Sequence, residues 1–297
     1  VCVVVPGQGE NCPISSTSTA DPLSGRSTQR ESDWSSSSAT ASRGDSAKRS
    51  LASNSNVFPV ELKRYYSSKY ESLNFSFSSR FGVGWRTDFD ASASLNLSSL
   101  TSATLIHFFL SDSNEYSFAK QSGIWKPVLP RLLSSGTVSW DVAGQDVGFA
   151  VSIANNQIVL RAPSGSEYVF DQAGRLVLLR NGTGYTQTLE YSGNLNTRVF
   201  DNLGGWIRFV YAHPTQGSIV TTAETSDGTL IFYNYENRYL DKDGSKAKAE
   251  HNGYWTLKSV TYRRSSPADV SGLGDRYYEY RADRARPFLL TGVVDVA

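Results

Sequence analysis

Gly165-Ser-Glu-Tyr168-Val-Phe170-Asp171-Gln-Ala-Gly174-Arg175-Leu176 is the stretch whose reading decides the fold. A glycine leads into an aromatic-x-aromatic pair, and an Asp-led turn closes on a second glycine. The strand-like alternation and the glycine-marked turn predict a β-hairpin. The same phrase returns at Gly205-Trp206-Ile207-Arg208-Phe209-Val210-Tyr211, at Gly228 through Phe232-Tyr233-Asn234-Tyr235, and at Gly274 through Tyr277-Tyr278-Glu279-Tyr280. A weaker copy runs from Gly184 through Leu189-Glu190-Tyr191. A spacing of roughly twenty residues is that of a repeat architecture. The wider gap between Tyr235 and Tyr280 holds the charged stretch Asp241 to Glu250, which reads as an insertion that protrudes from the sheet and is poorly ordered. A lone hairpin is marginal in water, so the copies are expected to stack. The fold class is therefore all-β, with consecutive antiparallel hairpins in one curling sheet. The pairs Tyr168/Phe170, Phe209/Tyr211, Tyr233/Tyr235 and Tyr278/Tyr280 are expected at equivalent places in successive hairpins, as a structural ladder of stacked rings.

Upstream, alternation again dominates. Trp85, Thr87, Phe89, Ala91, Ala93, Leu95 and Leu97 fall on one side of a period-two pattern, and Arg86, Asp88, Asp90, Ser92, Ser94, Asn96 and Ser98 on the other. This predicts one long strand, dry on its odd face and wet on its even face. Shorter alternating runs follow at Leu105–Leu110, Glu115–Phe118, Thr137–Trp140 and Gln157–Leu160. Residues 14 to 56 are rich in Ser, Thr, Ala and Asp and cannot bury enough surface to fold alone. They form either a flexible lead-in or a strap held by the rest of the protein, with Trp34 as its docked anchor. The organisation reads as a Ser-rich lead-in or strap (1–56), an N-terminal β region (57–160) and repeat hairpins (161–297).

Composition narrows the function. The 39% hydrophobic and 12% aromatic content belongs to a folded, tyrosine-rich β protein. A formal charge of +1 gives no electrostatic case for nucleic acid or an anionic membrane. Val1-Cys-Val-Val-Val5-Pro6 is too short to span a bilayer. The absence of methionine, even at position 1, reads as a piece of a longer product, ending inside a repeat. Cys2 and Cys12 either pair in an oxidising compartment or stand as two thiols.

Chemistry is sparse. His107, His213 and His251 have no metal-ligand spacing, and no nucleophile elbow, P-loop or dinucleotide fingerprint occurs. Asp88 and Asp90 would share one strand face and could bracket a sugar or a cation, but solvent-facing residues beside Arg86 are the plainer reading. No catalytic residue, metal ligand or cofactor is assigned, and the chain is not read as an enzyme.

Tyr168-Val-Phe170-Asp171-Gln-Ala-Gly174-Arg175-Leu176 resembles the YD repeat of the Rhs proteins, and Leu289-Leu-Thr-Gly-Val-Val-Asp295 is similar to its return strand. Leu62-Lys-Arg-Tyr-Tyr-Ser-Ser68 with Phe81-Gly-Val-Gly-Trp-Arg86 resembles that family's N-terminal signature, and Asp21-Pro-Leu-Ser-Gly25 with Glu31-Ser-Asp-Trp34 its entry motif. The resemblance implies a segment of a hollow β-cocoon that encloses a C-terminal toxic domain for interbacterial competition, secreted or at the cell surface. Its partners would be that domain, the remaining repeats, and secretion machinery or a target-cell surface, with no nucleic acid and no membrane span. The alternative is a cell-surface module of YD repeats that binds glycans or proteins. A glycosidase using Asp88 and Asp90 is a third reading.

Overall fold

The structure is a computed structural model and describes residues 16–20, 27–35, 60–67, 80–97, 99–110, 115–135, 137–143, 148–212, 219–237, 255–264, 274–280 and 290–296. Among these residues there is no α-helix, and no helix long and apolar enough to cross a membrane. The all-β expectation holds. The stretch 241–253, read from the sequence as a protruding insertion, lies outside the described residues.

Four strands form the first sheet, in sequence order and antiparallel: β1 (Ser16–Ala20), β2 (Ser27–Ser35), β3 (Glu61–Ser67) and β4 (Trp85–Thr87). Five more form the second: β5 (Ser92–Leu95), β6 (Leu105–Phe109), β7 (Glu115–Gln121), β8 (Ile124–Leu132) and β9 (Val138–Val142). The third sheet has twelve strands and does not close. It begins with β10 (Ala150–Ala154), β11 (Gln157–Arg161), β12 (Glu167–Phe170), β13 (Leu176–Arg180), β14 (Thr186–Ser192) and β15 (Leu195–Asp201). It continues with β16 (Trp206–Tyr211), β17 (Val220–Thr225), β18 (Thr229–Asn237), β19 (Trp255–Arg264), β20 (Gly274–Tyr280) and β21 (Leu290–Val296). Within each sheet, the strands stand in the order in which the chain makes them. The serine-rich lead-in thus contributes strands, because β2 takes its hydrogen bonds from β1 and β3 rather than from its own side chains.

The chain divides into two compact units, residues 1–46, 59–87 and 204–297 in one and residues 47–58 and 88–203 in the other. In the second unit, the sheet β5–β9 covers the start of the hairpin series. Phe108 meets Phe118 edge-on at 5.8 Å and Phe170 at 5.5 Å between ring centroids, and all three are fully buried. Each such ring contributes about 1.5–3 kcal/mol through removal from water.

The long strand expected from Trp85 to Leu97 is corrected. It is broken by a 3-10 turn at Asp88–Asp90, so that β4 and β5 belong to different sheets. Trp85, Thr87, Phe89, Ala91 and Ala93 are buried, as the alternation requires. Arg86 is buried too, because all three residues of β4 are covered. Leu97 is 48% exposed, since it lies past the end of β5. The cause of the break is local: Asp residues favour turns, and a short turn preserves the polar–apolar alternation that the pattern registers.

The hairpin turns share one build. The N–H of Gly165, Gly174, Gly184 and Gly228 donates to the carbonyl three residues earlier, on Ala162, Asp171, Asn181 and Thr225. In the β12–β13 hairpin, the Asp171 carboxylate also accepts from the backbone N–H of Ala173 and of Arg175, each at 2.9 Å. Gly174 has φ +77°, and its carbonyl accepts the N–H of Ala93 at 2.8 Å. A Cβ at Gly174 would stand 1.8 Å from the Ala93 carbonyl oxygen. Gly174→Ala should therefore destabilise by about 2–5 kcal/mol, strain and overlap combined. Gly165→Ala, with φ +81° and open space around it, should cost only about 1–2 kcal/mol. Urea denaturation of the two variants checks the contrast.

In the second unit, Glu167 of β12 takes hydrogen bonds from Arg161 of β11 and Arg180 of β13. The Arg161 bond, joined by that of Arg180, holds its carboxyl below the ordinary 4.5 despite burial. A depressed folded pKa contributes stability that is present above pH 4.5 and is lost as pH falls through the folded value. Wild type should accordingly unfold at higher temperature than Glu167→Gln at pH 7, and the difference should vanish in acid. Thermal midpoints measured from pH 7 down to pH 2 test this.

Candidate functional site

In the first unit, the strap and the repeat strands meet through charge. Gln29, Glu31 and Asp33 alternate along β2 and are buried, as are Leu62, Arg64 and Tyr66 along β3. Asp33 is left out of the β2–β3 ladder, which passes from Ser32–Lys63 to Trp34–Leu62. Such a bulge re-aims a side chain. Here Asp33 and Trp34 are both buried, at 7% exposure each.

Asp33 is met by four donors. Arg64 Nη2 donates to its Oδ1 at 2.8 Å and Arg64 Nε to its Oδ2. Tyr262 of β19 donates to Oδ1 at 2.8 Å and Tyr233 of β18 to Oδ2 at 3.0 Å. A carboxylate has about four acceptor positions, so Asp33 is saturated. Arg64 Nη2 also donates to the Tyr278 hydroxyl of β20 at 2.6 Å, and its guanidinium lies 4.8 Å from the centre of the Trp85 ring. Beside this group, Arg276 of β20 donates to Glu31, and to Asp295 of β21. Gln29 donates to the other Glu31 oxygen at 2.8 Å.

The segment before β4 fastens the same face. The Arg80 carbonyl accepts from Val220 N at 2.8 Å, and Val83 N donates to the Trp255 carbonyl at 2.9 Å. Phe81 stands edge-on to Tyr233 at 5.1 Å and to Phe209 at 6.1 Å. Trp85 meets Tyr278 at 5.0 Å, and its Nε1 donates to the Tyr280 hydroxyl at 2.9 Å. Trp34, the expected anchor, is docked. The Asp227 carboxyl beside it is disfavoured by burial, yet hydrogen bonds from Thr225 and Thr229 hold it below its ordinary range.

The electrostatics favour permanence. Burial, reinforced by the Asp33 charge, pushes the Tyr233 and Tyr262 phenols well up, and burial does the same for Tyr235 and Tyr278. Burial opposes the Arg64 charge most strongly, but the Asp33 carboxylate together with the Tyr278 and Tyr233 hydroxyls outweighs it and raises the guanidinium further. Phenols and guanidinium keep their protons through the neutral range, so the cluster is built to hold hydrogen bonds rather than to pass protons. Among the described residues, no group of three or more His, Cys, Asp or Glu could hold a metal ion. Asp88 and Asp90 do not share a strand face as expected: they belong to the 3-10 turn, where residues two apart diverge. His107 bonds Ser117 through Nδ1 at 2.8 Å, and burial lowers its pKa.

The eight residues of the expected ladder lie on alternate strands. Tyr168 and Phe170 are on β12 in the second unit, with Phe170 against Phe108. Phe209 and Tyr211 are on β16, Tyr233 and Tyr235 on β18, and Tyr278 and Tyr280 on β20. Of these, Phe209, Tyr233, Tyr278 and Tyr280 are gathered by Phe81, Trp85 and the Asp33–Arg64 pair. Sequence reasoning missed Glu31, Asp33, Arg64, Tyr262 and Arg276 as one cluster. The available signal was Arg64, a charge in step with Leu62 and Tyr66 on the dry side of a strand.

No protein-family model matches this chain, and neither does any curated protein.

Removing one partner of a buried pair leaves the other charge uncompensated. Asp33→Ala should cost about 3–5 kcal/mol in urea unfolding. Asp33→Ala combined with Arg64→Met should cost clearly less than the two single changes added together.

Proposed function

We propose that this chain is a length of structural wall, of the Rhs YD-repeat kind, that helps to enclose a C-terminal toxic domain and carry it to a competing cell. The observation that carries the reading is the hairpin series β10–β21, in which each strand follows its sequence neighbour and the same glycine turn recurs. A run of such units is stable through neighbour contacts and can surround an interior that it does not fill. The strap cluster supports the same role, since buried ion pairs held by several hydrogen bonds lend rigidity rather than reactivity. On this reading, the protein is secreted or surface-borne, its partners are the toxic domain and further repeats, and the chemistry belongs to the enclosed domain.

A cell-surface binding module is the second reading, favoured by Phe232 of β18 and Tyr277 of β20. They stand on the outward face at 36% and 41% exposure, and exposed aromatic rings on a sheet face suit sugars. The test uses the natural gene product that contains this sequence, treated with protease under native conditions. The enclosure reading expects polypeptide C-terminal to the repeats to survive digestion that removes it once the fold is opened by denaturant. Digestion at equal rates in both states overturns that reading. Glycan-array binding lost on Phe232→Ala or Tyr277→Ala moves the assignment to the second.

A further inference from the structure

The second aromatic of each repeat pair stands at a fixed irregularity of the sheet. Pairing with the following strand slips immediately before Phe170, Tyr191, Tyr211, Tyr235 and Tyr280. The residue left over on the following strand is Val177, Thr197, Thr221, Lys258 and Thr291 in turn. A bulge interrupts the ladder, and the backbone groups it frees need other partners.

Side chains supply those partners by a repeated rule. Tyr191 donates its hydroxyl to the Leu176 carbonyl at 2.7 Å, Tyr235 to that of Val220 at 2.6 Å, and Tyr280 to that of Leu257 at 2.9 Å. The preceding strands pair as Leu178–Thr188, Thr222–Phe232 and Ser259–Tyr277. Continued by two residues, these registers put each bonded carbonyl opposite the residue just before the tyrosine. From the other side, the left-over threonine reaches the carbonyl of that same residue. Thr197 donates to Glu190 and Thr221 to Val210, both at 3.3 Å, and Thr291 donates to Glu279 at 3.1 Å. The tyrosine bonds are the shorter and stronger set.

We propose that the hydroxyl of Tyr191, Tyr235 and Tyr280, not only the ring, is a clasp that holds the bulge in these three hairpins and so sets the bend from each to the next. A bulge bends its strand and increases local twist. Without it, pairing would slip by one residue and turn the following side chains to the opposite face. Tyr191, Tyr235 and Tyr280 repeat the clasp with the same geometry, which makes the bend a repeated one. Phe170 has no hydroxyl; its ring packs on Phe108 instead. The clasp gives the proposed wall its curvature, but its hydrogen-bond geometry stands whether or not a toxic domain is enclosed.

Hydrogen exchange on this chain tests the clasp without any cargo, so its failure is distinguishable from failure of the enclosure reading. Tyr235→Phe should speed exchange of the amides at 220–222 and 256–260 by about fivefold or more, the loss of one net hydrogen bond. Tyr277→Phe, whose ring faces outward, should leave those amides unchanged. Lys258 is exposed and lacks the hydroxyl that Thr197, Thr221 and Thr291 carry, so Lys258→Thr should slow exchange at the same place. Tyr191→Phe reads the same quantity at 176–178 in the second unit, should the Tyr235 variant fail to fold. Exchange in Tyr235→Phe and Tyr191→Phe that matches wild type would overturn the clasp and leave ordinary ring packing.

Discussion

The carboxylate of Asp33 is the constraint on which the first unit turns. A buried charge is tolerated only when its hydrogen-bonding capacity is met, and a guanidinium alone does not meet it here. Arg64 supplies two donors from the neighbouring strand β3, and Tyr233 and Tyr262 supply the other two from the repeat strands. Neither side is complete alone. The strap is too polar to bury itself, and the inward phenols of the repeats need acceptors that an apolar face would not offer. Joining the two satisfies both, and this accounts for a charged strap in a dry interior.

The same accounting governs the backbone of the hairpins. Turns and bulges free N–H and carbonyl groups, and in several of the described hairpins the repeated residues recover them. Asp171 and Asn181 accept the amides of their turns. Tyr191, Tyr235 and Tyr280 take carbonyls beside the bulges. The aromatic-x-aromatic phrase is therefore less a stacking ladder than a division of labour. In the first unit, the leading phenols Tyr233 and Tyr278 face the strap, while the trailing Tyr235 and Tyr280 serve the backbone. This explains why the second member is tyrosine wherever a clasp is made.

Some features were legible because they depend on nearest neighbours in sequence. Alternation marked most strands, and glycine spacing marked the turns, since both reflect backbone geometry within a few residues. Strand β8 escaped notice because Pro127 and Pro130 lie inside it, although both of its edges are paired. The break at Asp88–Asp90 escaped because polarity alternates through the turn as it would along a strand.

The sequence by itself determined the all-β class, the hairpin period and the turn chemistry, because these follow from side-chain parity and from the few residues that tolerate tight turns. Only the tertiary structure decided what the aromatic residues do. Asp33 and Tyr262 are 229 residues apart, and no local pattern states that a carboxylate in a serine-rich strap is the acceptor for a phenol in a distant hairpin. Register across strands, with its one-residue slips, brings them together, and register is a property of paired strands rather than of either strand alone.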